Sequence, residues 1–117
     1  MAKKILIVDD NTTLRENLSK LLTEKGYAVK TADCNEAIWN LIKDESFDLM
    51  ILDIILPDKN TTVILGGLKT HSPQMRIIVY SGYEEYEESP YIRVADAFLC
   101  KSKGPEALLS LIEQFFK

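Results

Sequence analysis

Four short apolar runs recur along this chain, at residues 5–8 (ILIV), 49–52 (LMIL), 77–80 (IIVY) and 97–100 (AFLC), and segments of helical pattern fill the intervals between them. Continuous apolar runs of this length suit strands buried on both faces, not strands with one wet side. Leu14, Leu18, Leu21 and Leu22 fall at i, i+4, i+7 and i+8 and give one apolar helical face, read as core and not as a partner surface. Gly26 after Lys25 marks the end of that helix. Residues 35–44 carry Ala37, Ile38, Leu41 and Ile42 on a similar face, and Pro105 opens a last helix with Leu108, Leu111, Ile112 and Phe115 inward. Residues 27–31 read as a further strand, but Lys30 and Thr31 make it a mixed one.

Five strands alternating with helices imply a doubly wound α/β fold, a parallel sheet covered on both faces. The mixed second strand belongs at an edge, and the order 2-1-3-4-5, that of a flavodoxin-like (βα)5 domain, accommodates it. Ligands of such sheets bind beyond the carboxyl ends of the strands, where strand order reverses, here between strands 1 and 3. Two segments fit less well. Gly66-Gly67 weakens the third helical segment by about 1 kcal/mol per glycine relative to alanine, and Pro90 interrupts the fourth, over residues 84–95.

The 117 residues have the size of one domain, expected to span 1–117 with no output domain, and 46% hydrophobic against 27% charged residues excludes a disordered chain. No apolar run reaches bilayer-crossing length, and the run after Lys4 is too short for a secretory signal, so a cytoplasmic location is expected. Cys34 and Cys100 have no metal-type spacing and are expected as free thiols, Cys100 packed as a small hydrophobe. The net charge is −4 and the 14 basic residues are dispersed, which disfavours direct nucleic-acid binding.

The polar residues at the strand ends carry the chemistry. Strand 1 runs into Asp9 and Asp10, strand 3 into Asp53, strand 4 into Ser81 and strand 5 into Lys101. Each alone reads as an ordinary strand-end or loop residue. In a parallel sheet, however, all five emerge at one edge, and a coincidence of five is hard to sustain. Crowded carboxylates repel, so either one takes a proton or a cation joins them. Hard oxygen ligands suit Mg²⁺, which retains waters and accepts a phosphate oxygen. Lys101 supplies a point charge for the same anion, and Ser81 a hydroxyl donor. Such a set suits phosphoryl chemistry, with Asp53, on the central strand, as the nucleophile.

The pieces "ILIVDD" (5–10), "DLMILDIILPD" (48–58), "IIVYSG" (77–82) and "ADAFLCK" (95–101) give the chain its resemblance to the CheY-like receiver domains of two-component response regulators. Asp10 to Asp53 is 43 residues, Asp53 to Ser81 is 28 and Ser81 to Lys101 is 20. The resemblance implies that Asp53 accepts phosphoryl from a histidine kinase or a histidine phosphotransfer protein in a Mg²⁺-dependent reaction. It implies direct Mg²⁺ ligation by Asp10, Asp53 and the backbone carbonyl of Ile55, with Asp9 acting mostly through water. By the same resemblance Lys101 and Ser81 would each bind a phosphoryl oxygen, Ser81 would move toward its own, and Ser81 would form the switch together with Phe98, which lies three residues before the lysine at the aromatic switch position. Pro57 follows the pattern of the loop after the acceptor. The output is a changed protein-binding face of helical segment 4, strand 5 and helical segment 5. The domain promotes only its own phosphoryl transfer and hydrolysis, so it is a signalling phosphoprotein and not otherwise an enzyme; no membrane partner is implied.

Some positions depart from that family. Ser102 stands where a proline, often cis, follows the lysine; a trans bond and an altered loop are expected here, since a cis bond before serine costs about 3 kcal/mol. Thr61 stands where glycine is usual. In that family the positions of Ile55 and Tyr83 border the route of attacking water, and these bulky residues are expected to slow loss of the phosphoryl group. His71 reads as a surface loop residue, Trp39 as partial packing, and Glu84, Glu85, Glu87 and Glu88 as a solvated run near the output face.

Competing functions fare worse. A receiver-like module that is never phosphorylated does not need the full polar set. A haloacid-dehalogenase-type phosphatase needs an aspartate two residues after its nucleophile, where this chain has Ile55. A flavodoxin-type cofactor site wants a phosphate-cradling loop after strand 1, where Asp9-Asp10 would repel the phosphate.

Overall fold

The structure is a computed structural model that describes residues 2–54, 56–58, 64–82 and 92–117. In chain order it contains β1 (Lys4–Val8), α1 (Thr12–Glu24), β2 (Ala28–Ala32), α2 (Asn35–Ile42), β3 (Leu49–Leu52), α3 (Leu65–His71), β4 (Arg76–Ser81), β5 (Ala97–Cys100) and α4 (Pro105–Phe115). Single 3₁₀ turns cover Ile92–Val94 and Lys101–Lys103. The five strands form one sheet in the order β2-β1-β3-β4-β5, every pair parallel, as the alternation of patterns predicts.

Successive residues of each apolar run enter opposite cores, which is why the runs are continuous. Leu6, Met50, Leu52, Ile77 and Val79 pack with Ile38 and Ile42 of α2 and Leu65 and Leu68 of α3. Ile5, Ile7, Leu49, Ile51 and Ile78 point the other way, to Leu18 and Leu22 of α1 and Leu108 and Ile112 of α4. A one-residue slip would exchange the two sets, so the core fixes the register. β2 is an edge strand with Ala28, Lys30 and Thr31 exposed, as its mixed composition requires.

Local signals set the helix limits. Asn11 caps α1, its side chain accepting from the Leu14 N–H at 3.0 Å. Gly26 follows α1 with φ 96°, a left-handed conformation that favours glycine. Leu18 and Leu22 are buried, whereas Leu14 and Leu21 are half-buried. Leu22→Ala would cost about 2–5 kcal/mol. The third helical segment is short, seven residues, and His71, read as a loop residue, instead closes it while remaining exposed. Trp39 is half-buried over this helix, as expected, with its ring edge-on to His71 at a centroid distance of 5.8 Å.

Every described peptide bond is trans, including Lys101–Ser102, and the altered loop takes the form of the 3₁₀ turn followed by Gly104 at φ 86°. Both cysteines are free and Cys100 is buried. No helix among the described residues is long and apolar enough to cross a membrane. Ile55, Thr61, Tyr83, Pro90 and the acidic run of Glu84, Glu85, Glu87 and Glu88 lie outside the described residues.

Candidate functional site

The parallel sheet brings the four expected strand ends to one edge. The Asp9 N–H donates to the Ala32 carbonyl at 3.1 Å and the Asp53 N–H to the Val8 carbonyl at 3.0 Å. The ladders thus continue into both aspartates, so each is held by its backbone as firmly as a strand residue. Asp9 is 2% exposed, Asp53 7% and Ser81 0%, while Asp10 is exposed. Asp9, Asp10 and Asp53 each offer a carboxylate oxygen within 4.8 Å of the other two.

Lys101 joins this cluster from the end of β5. Its Nζ donates to Asp9 Oδ2 at 2.7 Å and to Asp53 Oδ2 at 3.3 Å. The remaining oxygens of the two buried carboxylates are engaged by backbone donors: Asn11 N–H to Asp9 Oδ1 at 2.9 Å, Ile54 N–H to Asp53 Oδ1 at 2.8 Å. The Arg15 guanidinium donates to the Asp9 carbonyl at 2.7 Å and so ties α1 to the strand end.

Burial raises the Asp53 carboxyl above the usual aspartate range; Asp9 adds to the rise, and Lys101 and the Ile54 N–H only partly oppose it. For Lys101, burial favours the neutral amine, but Asp9 and Asp53 together outweigh it, so its value is raised and it remains an ammonium. Three carboxylates therefore face one ammonium, and the site is short of positive charge when all are ionised. Two buried carboxylates, one exposed carboxylate and only hard oxygen donors fit a small divalent cation such as Mg²⁺, with Asp10 on the side where the ion would keep its waters.

Ser81, the last residue of β4, sits opposite Cys100, one residue before Lys101, and so belongs to the same edge. Phe98 does not join the pocket. It lies opposite Val79 and packs half-buried against the core on the α2–α3 face. Ile55, expected to offer a carbonyl, is among the residues not described.

Sequence reasoning missed three supporting residues. Asn11 was detectable as a cap residue just before a periodic helix. Arg15 reaches the Asp9 carbonyl only six positions back, but follows no motif; Asp58 accepts the Asn35 and Glu36 N–H groups from 23 and 22 positions away, where no local signal reaches. The leucine stripe of α1 also needs correction: Leu18 and Leu22 are core, but Leu14, Leu18 and Leu21 line a cleft of about 300 Å³ with Asn17, Tyr80 and Pro105, so the stripe is not wholly interior.

The family profile of the response regulator receiver domain matches residues 5–113. Among solved structures, the response regulator TrrA of Thermotoga maritima, determined with Mg²⁺-BeF, is 29% identical with a TM-score of 0.90, covering 97% of this chain and 98% of that one. TrrA has also been solved in complex with the histidine kinase ThkA, at a TM-score of 0.89 and 29% identity over 98% of this chain and 99% of that one. A CheY-like receiver domain protein of Methanospirillum hungatei is 34% identical with a TM-score of 0.91, over 97% and 93% of the two chains. Among curated relatives, the DNA-binding transcriptional regulator NtrC of Bradyrhizobium sp. (strain RP501 Parasponia) is 28% identical over 113 residues, which are 95% of this chain but 24% of that protein. The chain thus spans about a quarter of that relative. The profile takes in every strand from the second residue of β1 onward and all five strand-end residues, Asp9, Asp10, Asp53, Ser81 and Lys101, and on that ground the chain belongs to the response regulator receiver domain family.

Proposed function

We propose that Asp53 is the phosphoacceptor of a signalling switch driven by a histidine kinase or a histidine phosphotransfer protein. The observation that carries this reading is the placement of Lys101 Nζ, 2.7 Å from Asp9 and 3.3 Å from Asp53 at the rim of a buried carboxylate pair. Asp53 Oδ1 is fixed by the Ile54 N–H, so Oδ2 is the oxygen available to attack phosphorus. The P–O bond forms as the P–N bond of the donor phosphohistidine breaks. The electron pair leaves with the imidazole, which takes a proton from solvent. Lys101 then exchanges its longer bond to Asp53 for a phosphoryl oxygen and keeps Asp9. Phosphoryl transfer depends mainly on positioning and charge neutralisation, which these groups supply.

Asp10 and Asp53 would hold Mg²⁺ directly, with the Ile55 carbonyl; both oxygens of Asp9 already have protein donors, which favours an outer role through water. When bound, the ion supplies charge neutralisation for the acceptor and the incoming phosphoryl oxygens. Ser81 donates its hydroxyl to one of those oxygens. Phe98 changes its packing in response and alters the face formed by β5, α4 and the segment before β5. The histidine-kinase partner is supported by the TrrA–ThkA complex; the DNA binding named for NtrC belongs to a protein of which this chain covers 24%, and is not carried over. The domain catalyses only its own phosphorylation and the hydrolysis of its aspartyl phosphate.

Intact mass after incubation with acetyl phosphate and Mg²⁺ tests the reading. One added phosphoryl group is expected, absent from Asp53→Asn and from a chelated sample. No adduct from either acetyl phosphate or a phosphorylated histidine donor, together with no Mg²⁺ binding, would replace the reading with that of an unphosphorylated binding module.

A further inference from the structure

Helix α2 has no cap of its own. Its N-cap residue, Cys34, makes no side-chain hydrogen bond to the first turn. The missing acceptor comes from elsewhere: the Asp58 carboxylate takes the Asn35 N–H at 2.8 Å on one oxygen and the Glu36 N–H at 3.1 Å on the other. Two of the helix's orphan donors are thus satisfied by a residue 23 and 22 positions away, and the carboxylate lies at the end of the helix that favours negative charge.

Asp58 is also five residues beyond Asp53. At the near end of this stretch, Ile54 and Leu56 are buried in the core beneath α2 and α3, and the Ile54 N–H holds Asp53 Oδ1. At the far end, Pro57 and Asp58 are exposed, so the two bonds to α2 form the outer anchor. The Asn35 side chain, in turn, accepts from Trp39 Nε1 at 3.1 Å. The stretch that leaves the acidic pocket is therefore tied at one end to the hydrophobic core and at the other to a helix terminus.

We propose that Asp58 is a positioning residue for the acceptor, holding the stretch after Asp53 against the start of α2 so that the carboxylate cluster is preorganised for its cation. The proposal rests on the receiver reading of Asp53. Groups that hold metal-site residues in place commonly influence affinity by tenfold or more. Asp58 acts at one remove, through the backbone between it and Asp53, so a smaller effect is expected.

The test compares Asp58→Ala, Asp58→Asn and Ile112→Val in the intact chain. Ile112 is fully buried on the opposite face of the sheet and serves as a control for general destabilisation. Three quantities are read: the melting midpoint, the Mg²⁺ dissociation constant by calorimetry, and the rate of phosphoryl uptake from acetyl phosphate against Mg²⁺ concentration. Asp58→Ala is expected to weaken Mg²⁺ binding about three- to tenfold. It should raise the Mg²⁺ needed for half-maximal uptake by the same factor and leave the saturated rate within about twofold. Asp58→Asn retains one acceptor oxygen but turns its NH2 toward the second N–H, so it should recover only part of the affinity. Ile112→Val should lower the midpoint without changing the Mg²⁺ constant. Wild-type Mg²⁺ affinity in Asp58→Ala, or equal weakening in Asp58→Ala and Ile112→Val, would overturn the proposal. If the wild type binds Mg²⁺ but takes no phosphoryl group from any donor, the receiver reading fails alone, and the Mg²⁺ constants still decide the role of Asp58. No Mg²⁺ binding by the wild type would overturn both.

Discussion

Lys101 lies closer to Asp9 than to Asp53: its Nζ is 2.7 Å from Asp9 Oδ2 and 3.3 Å from Asp53 Oδ2. The three residues come from the ends of three different strands, and only a parallel sheet brings them together. Under the proposed function the inequality has a chemical use. The short bond holds the ammonium in place, and the long one can be surrendered to an incoming anion while the first persists.

Lys101→Met should therefore destabilise the fold at pH 7 in the absence of divalent cations. Losing one partner of a buried ion pair commonly costs about 3–5 kcal/mol; with the Lys101 side chain 25% exposed, about 1–3 kcal/mol is expected. The Lys101 value is raised in the fold, so its contribution is complete below the ordinary lysine value, about 10.4, and fades as pH rises through the folded one. Thermal melts from pH 7 to pH 11 should show the gap between variant and wild type closing at the alkaline end. Added Mg²⁺ should recover part of the loss at pH 7. A variant as stable as the wild type in chelator would mean that Lys101 contributes nothing to the stability of the domain without the ion.

Asp53→Asn should act in the opposite direction. The Asp53 carboxyl is raised above its unfolded value, chiefly by burial, so wild-type stability attributable to this group is greatest below the ordinary aspartate value of about 3.9 and declines as pH rises through the folded value. The asparagine lacks that charge. In chelator at pH 7 its melting midpoint should exceed that of the wild type by a few degrees, about what 1 kcal/mol produces in a domain of this size. The difference should vanish below pH 4. A midpoint lower than wild type at pH 7 would show that the bond to Lys101 outweighs the cost of burying the charge.

These residues were legible in the sequence for a topological reason. Once the apolar runs are strands of one parallel sheet, Asp9, Asp53, Ser81 and Lys101 must share an edge, whatever the helices do. The alternate burial that makes the runs continuous also fixes the register, so the strand ends were predictable to within a residue. What the sequence did not disclose is how polar side chains satisfy backbone groups far away along the chain. Asp58 caps α2, Asp48 takes the Lys4 N–H at 2.8 Å and Asp96 the Ile77 N–H at 2.7 Å. Each bond spans 19–44 positions and follows no periodicity. His71 was misread for a related reason: a helix continues over its Thr-His pair because Leu65 and Leu68 are anchored in the core, and tertiary packing overrides weak local propensity.

The acidic cluster predicts a specific response to Mg²⁺. An ion that binds the folded chain alone stabilises it by mass action, by about 1.4 kcal/mol at ten times its dissociation constant. Asp10 is the exposed member of the cluster, so its removal should weaken the ion with little other damage. Asp10→Asn is expected to lose most of the Mg²⁺-dependent rise in melting midpoint while keeping the wild-type midpoint in chelator. Because burial raises the Asp53 carboxyl above the usual range, protons compete with the ion, and the Mg²⁺-dependent rise should shrink as pH falls from 7. An Mg²⁺ response unchanged in Asp10→Asn would move the ion away from this cluster.

The two glycines of α3 give a prediction about stability alone. A Cβ at Gly66 would meet nothing within 4 Å, and Gly66 is exposed with a helical backbone, so the glycine serves no packing purpose there. Gly66→Ala should stabilise the domain by about 0.5–1 kcal/mol through reduced freedom of the unfolded chain. A Cβ at Gly67 would rest 3.7 Å from Trp39 Cη2, an ordinary contact, so Gly67→Ala should stabilise comparably and also shift the emission of the only tryptophan. Urea melts followed by circular dichroism measure the first effect and fluorescence spectra the second. If Gly66→Ala lowers the midpoint instead, the start of α3 needs a backbone freedom that its helical conformation does not reveal, and the short third helix would be a functional choice and not merely a weak one.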